Sequence, residues 1–191
     1  LVDARGDLVI CSAETNPDLF AAAKVSMGTL GVITQVTLQN VAPYRLKREA
    51  VWHSFEDILE MVDDYADNNR NFEFYYVPFT GMGFTDVHNL TDEPIGSTEK
   101  IDGNDGVNDL KLARDWMQDY PWLRELILGS YMKTLADERT VESSWKNYAS
   151  ERNVRFNEME YHLPRENALQ ALSEIRAALE SKHHEVFFPI E

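Results

Sequence analysis

The sequence predicts an α+β fold, an antiparallel sheet with helices mainly on one face, preceded by a separate N-terminal piece. Three observations predict it. Strand-like runs, most of them alternating with period two, recur at 45–53, 71–78, 81–89, 154–163 and 185–190, the mark of strands with one buried face. Helical periodicity lies between them, most clearly at 54–68 and 166–181. The connections are short, and a change of pattern at Ala42-Pro43 divides the chain into units of 1–43 and 44–191.

Composition narrows the function classes. A chain of 191 residues can bury a core, and 43% apolar with 11% aromatic residues belongs to a folded protein. A net charge of −15 argues against binding nucleic acid or an anionic membrane, since either would need a basic face. The single cysteine, Cys11, excludes an internal disulfide and a multi-cysteine zinc site, and its apolar neighbours predict a buried strand thiol. No apolar run approaches the roughly 18 residues of a membrane helix, and no secretory leader is visible, so a cytoplasmic location is expected. The chain opens inside a strand pattern and stops on Glu191, which reads as a piece of a longer protein.

In the N-terminal unit, 1–12 predicts a hairpin turning at Arg5-Gly6-Asp7, where the turn itself calls for a glycine. Thr15 or Asn16 caps a short helix with Pro17 in its first turn. Two glycines three apart, Gly28 and Gly31, then lead into a strand over 32–38. In the second unit Ser54 caps the helix whose apolar face is Phe55, Ile58, Leu59, Val62 and Tyr65. The polar stretch 91–109 reads as a loop, and 109–137 as two helices broken at Pro121. Large apolar residues there, among them Trp116, Trp122, Leu126, Ile127 and Tyr131, read first as core and otherwise as a contact for another domain. Residues 138–153 read as a link into the strand at 154–163. That strand, the helix after it and the run at 185–190 then form one strand-helix-strand unit carrying Glu158, Glu160 and Glu191.

Little of this chemistry is specific by itself. The five histidines lack metal-site spacing, so no metal is expected, and there is no nucleophile elbow, phosphate loop or dinucleotide fingerprint. Glu158 and Glu160, two apart on a strand pattern, face the same way. Buried together they would repel, raising one pKa into the range of a general acid or base; at a solvated face they would do nothing.

Three segments together resemble the vanillyl-alcohol-oxidase-type flavoenzymes, in their sugar-1,4-lactone oxidase branch. They are Asn16-Pro17-Asp18-Leu19-Phe20 with Ser26-x-Gly28-x-Leu30-Gly31-Val32-Ile33-Thr34, then Arg155-Phe156-Asn157-Glu158-Met159-Glu160-Tyr161, then Phe188-Pro189-Ile190-Glu191. The resemblance implies that 1–43 is the end of an FAD-binding domain and 44–191 a substrate (cap) domain incomplete at its C-terminus. It implies FAD contacts at Gly28, Gly31, Val32 and Ile33, and a catalytic Glu191 that opens a Glu-x-Arg pattern. It also implies a substrate-binding strand with Glu158, Glu160 and His162. A sugar lactone or polyol is then the implied substrate, oxidised by hydride transfer to FAD. The pyrophosphate-binding loop of the family has no counterpart in this chain, so tight FAD binding by the chain alone is not expected. The alternatives are an alditol oxidase of the same superfamily and a non-catalytic α+β ligand-binding module.

Overall fold

A computed structural model of the chain describes residues 1–97, 103–117, 119–149 and 157–191. These divide into two units, Leu1–Ala42 and Pro43–Glu191, each described here by itself.

In the first unit the expected hairpin forms narrowly. Val2 bridges Leu8 on one side and Val32 on the other. Gly31 holds φ at +130°, and a Cβ there would lie 2.2 Å from the Val2 carbonyl oxygen, so only glycine lets the two backbones approach. Helix α1 (Pro17–Ala23) starts with the expected proline. Asn16, at its N-cap, takes a left-handed backbone (φ 50°) and does not cap; its amide donates to the Ile10 carbonyl instead, at 2.9 Å. The expected strand over 32–38 is corrected, because among the described residues only Val32 pairs and 33–38 meet no neighbouring edge. Cys11 is likewise half-buried outside any strand. Ile10, Val25, Met27, Val32, Val36 and Leu38 are all left exposed.

The second unit is an antiparallel five-stranded sheet in the order β2-β3-β1-β5-β4. Its strands are β1 (Arg45–Ser54), β2 (Asn71–Val77), β3 (Met82–Leu90), β4 (Gly96–Ser97) and β5 (Glu138–Ser143). Helix α2 (Phe55–Asn68) begins where expected, with the Ser54 hydroxyl accepting the Asp57 N–H at 3.1 Å. Its apolar stripe packs Phe55 and Ile58 on Tyr76 and Phe74 of β2, and Leu172 and Ile190 join this core. Gly83 on β3 makes room for it: a Cβ there would meet Ile58 Cδ1 at 2.8 Å and the Tyr75 carbonyl at 2.3 Å. Helix α7 (Arg165–Lys182) lies over the same face and sets Arg176 across the rings of Phe55 and Tyr76.

The opposite face is built differently. Helix α3 (Gly103–Met117) is followed by one irregular helical stretch: α4 (Pro121–Leu123), a π-helix (Arg124–Gly129) and α5 (Ser130–Met132). Met132, Leu135 and Leu110 close over Val77, Met82 and Trp52 at one end of this face. Helix α6 (Ser144–Tyr148) closes the other end, setting the Tyr148 ring against His88 at a 32° tilt with ring centroids 4.9 Å apart.

Several expectations in this unit are corrected. Residues 157–164 form no ladder, and Met159 and Tyr161 are about 80% exposed (82% and 79%); Arg155 and Phe156 lie outside the described residues. An alternating pattern specifies two faces but does not supply a partner edge. From 185 to 190 only Ile190 pairs, bridging Tyr76, so the strand-helix-strand unit is not formed among the described residues. The strand that takes the place beside β1 is β5, inside what reads as a link. Its charges hide it, and they are paired across the sheet, Glu138 with Arg48 and Arg139 with Glu49. Residues 103–109 belong to α3 and not to a loop. The core expected from the aromatic stretch is mostly surface, with Trp116 84% exposed and only Met132 of that stretch buried with the sheet.

Candidate functional site

Register decides which side chains share a face. In antiparallel pairing Tyr75 stands opposite Phe84 and Glu73 opposite Asp86. Ala50 stands opposite both Asp86 and Glu138, and Arg48 opposite both His88 and Thr140. These residues therefore share the face away from α2. Because Ile190 bridges Tyr76, which faces α2, the next residue, Glu191, is placed opposite Tyr75 and on their side. The face thus carries Glu191 at its edge, then Tyr75 and Glu73, then a polar cluster deeper in the sheet.

The edge is aromatic with acid tips. Tyr75 stacks on Phe84 at 4.6 Å and 15°, and Phe84 leans on Trp52 at 5.0 Å. The Tyr75 hydroxyl donates to Glu73 Oε2 at 2.9 Å. Burial, with the carboxylates of Glu73 and Glu191 beside it, pushes the Tyr75 pKa far up, so the phenol stays protonated and a donor.

The cluster is centred on Arg48. Its Nε donates to Asp86 Oδ2 at 2.8 Å, its Nη2 reaches the same oxygen at 2.6 Å, and its Nη1 donates to Glu138 Oε2 at 2.9 Å. Burial pushes the Asp86 carboxyl above its usual range, and the bonds from Arg48 offset only part of that. His88 is 3% exposed, and neither ring nitrogen has a hydrogen-bond partner among the described residues; Nδ1 lies 3.7 Å from Asp86. Burial depresses its pKa, opposed by Asp86, so the ring is held neutral with one donor and one acceptor to offer. Such a face can orient hydroxyl-rich matter through Glu191, Glu73 and Tyr75. The sequence signal for the cluster is Asp86 and His88, two apart on one face of a strand pattern.

The other expected residues lie elsewhere. Glu158, Glu160 and His162 sit on the exposed 157–164 stretch, with Glu160 and His162 paired at 3.0 Å in open solvent. The described contacts do not bring them to Glu191. In the first unit, Gly28 is held at φ +76° with open space where a Cβ would stand. Beside it the side chains of Val32 and Ile33 are exposed, while the packing of Gly31 is already explained by Val2. These residues fit the flat apolar part of a flavin. They do not offer a phosphate site, since Arg5 is engaged by Asp3 and Asp7 and Lys24 lies over the Phe20 ring. Among the described residues no group of three metal-ligating side chains occurs, and no helix is long and apolar enough to cross a membrane.

Comparison with known proteins decides the family. The family model described as D-arabinono-1,4-lactone oxidase matches residues 36–191, the whole sheet unit included. The chain belongs to that family. Over its full length it is 34% identical to an L-gulono-1,4-lactone dehydrogenase of Mycobacterium tuberculosis and covers 45% of that protein. It is 26% identical to the L-gulonolactone oxidase of Mus musculus, covering 44%. A D-arabinono-1,4-lactone oxidase of Saccharomyces cerevisiae matches 42% of the chain at 28% identity. The chain thus spans less than half the length of the curated relatives that match it throughout.

Proposed function

We propose that the protein carrying this chain is a flavin-dependent oxidoreductase that oxidises a sugar-1,4-lactone at a carbon bearing a hydroxyl. The reading is supported by the family match, in which every relative named above acts on an aldonolactone by its printed name. The observation that carries the site is the bridge of Ile190 to Tyr76, which sets Glu191 on the same sheet face as Tyr75 and Glu73. FAD, when bound, supplies the hydride acceptor. Gly28, Gly31, Val32 and Ile33 are the residues of the first unit proposed to meet it, and Leu1–Ala42 is accordingly read as the end of the FAD-binding domain.

Glu191 is the proposed catalytic residue. Its carboxylate accepts a hydrogen bond from the substrate hydroxyl, orients the reacting carbon, and takes up the hydroxyl proton as that carbon gives up its hydride. Tyr75, kept protonated, donates to Glu73 with Glu191 beside it, and its fixed hydroxyl limits where the Glu73 carboxylate can swing. Glu158, Glu160 and His162 are proposed as substrate-side groups on the exposed stretch, acting on KM more than on kcat. No observation favours the alditol oxidase or the non-catalytic module. The test is a substrate panel on the whole protein under anaerobic conditions. Bleaching of the flavin band near 450 nm by aldonolactones and not by alditols is expected, and bleaching by alditols alone would overturn the substrate class.

A further inference from the structure

We propose that Arg124 and Arg114 form a main-chain clamp that positions the arm carrying Glu191, which makes Arg124 a positioning residue for the proposed reaction. The inference rests on the assignment of Glu191 above. Arg124 lies within the π-helix and is 2% exposed. Its Nη1 donates to the Val186 carbonyl at 2.8 Å and its Nη2 to the His184 carbonyl. Arg114 of α3 donates to the carbonyl between them, that of Glu185, at 3.2 Å. Three successive carbonyls of the arm are thus held by two guanidinium groups.

Rings complete the grip. The Arg124 guanidinium lies over Phe79 at 4.6 Å, Phe79 meets the His184 ring edge-on at 5.7 Å, and Arg114 lies over Phe187 at 4.7 Å. Phe79 holds a left-handed backbone (φ 66°), uncommon for an aromatic residue, in the turn between β2 and β3. Gly129 closes the π-helix against that turn, since a Cβ there would meet the Thr80 carbonyl oxygen at 2.4 Å. A buried guanidinium is costly, and Arg124 makes no ion pair with a carboxylate among the described residues. What its burial secures is the arm. A π-turn shifts side chains out of ordinary helical register and, though rare, is frequent at functional sites. From the clamp the arm runs to the bridge of Ile190 with Tyr76, so it is fixed at both ends immediately before Glu191.

The test uses the whole protein and Arg124→Lys, which keeps the charge but loses the planar fork that spans two carbonyls. Two quantities are read: hydrogen exchange over 183–191 by mass spectrometry, and anaerobic flavin reduction by the lactone. Exchange there is expected to rise about tenfold or more while β1–β3 stay protected, because the Val186 and Ile190 N–H groups lose their fixed frame. The limiting reduction rate is expected to fall about 10- to 100-fold, with KM within about threefold. Unchanged exchange over 183–191 overturns the clamp, as does loosening spread evenly through the sheet. A loosened arm with an unchanged rate overturns the positioning role. Should Arg124→Lys fail to fold, Arg114→Lys at the half-buried end of the clamp carries the same comparison. If Glu191→Gln itself reduces flavin at the wild-type rate, the Glu191 assignment fails, while the exchange result still decides the clamp.

Discussion

Replacing Arg48 by methionine removes the cation between two carboxylates and leaves the rest of the face in place. Arg48, Glu138 and Asp86 have side chains 21%, 16% and 9% exposed, so none of their charges is well hydrated. Charge-assisted hydrogen bonds contribute about 1.5–3 kcal/mol each, yet much of that only offsets desolvation. Breaking a buried pair by deleting one partner typically costs about 3–5 kcal/mol, and the partial exposure of Arg48 puts the expectation near the lower end, about 3 kcal/mol at pH 7. The pH dependence follows from Asp86, whose carboxyl already sits above its usual range and rises further without Arg48. A raised carboxyl binds its proton more tightly in the folded state, so stability is lost as pH climbs from the unfolded value through the folded one. The deficit of the variant is therefore larger at pH 8 than at pH 5. Urea unfolding followed by tryptophan fluorescence measures it, and adding Asp86→Leu should recover more than half of the loss, because the stranded charge is gone. A loss under about 1 kcal/mol that stays flat from pH 5 to 8 would refute the buried ion cluster.

Two further outcomes are expected. Gly83→Ala should cost about 3 kcal/mol in the same unfolding assay, since the new methyl meets the Tyr75 carbonyl and Ile58; a loss below about 1 kcal/mol would mean that α2 sits farther from β3 than described. The chain of 191 residues alone should bind FAD weakly or not at all, because the cations of its first unit are engaged and offer no phosphate site. Titration followed by flavin fluorescence checks this, and a micromolar or tighter complex would contradict it.

The sheet was legible where side chains alternate against a packed helix. The aromatics of β2, the Ser54 cap and the stripe of α2 all point one way, and the structure follows them. It was illegible where long-range pairing overrides local pattern. Three of the six residues of β5 are charged, and Glu138 and Arg139 find partners on β1 far away in sequence, so local pattern does not announce a strand. The 157–163 stretch shows the reverse, good alternation with no edge to join among the described residues. Glu191 could be picked out by resemblance, but its neighbours Tyr75 and Glu73 emerge only from register. Arg124 was unreadable as well, since an arginine inside a largely apolar helical stretch gives no hint that it reaches carbonyls 62 and 60 residues away.

The role proposed for Glu191, set by the Ile190–Tyr76 bridge onto the Tyr75 face, is to act on the lactone hydroxyl beside the flavin. Glu191→Gln in the whole protein preserves shape and removes the charge. The measurement is stopped-flow flavin reduction by the lactone without oxygen, at saturating substrate. A fall of about 10²–10³ in the limiting rate is predicted, the scale of deleting one preorganised electrostatic contact. A wild-type rate for Glu191→Gln, together with abolished reduction in Glu158→Gln, would rule out that role and move the chemistry to the exposed stretch.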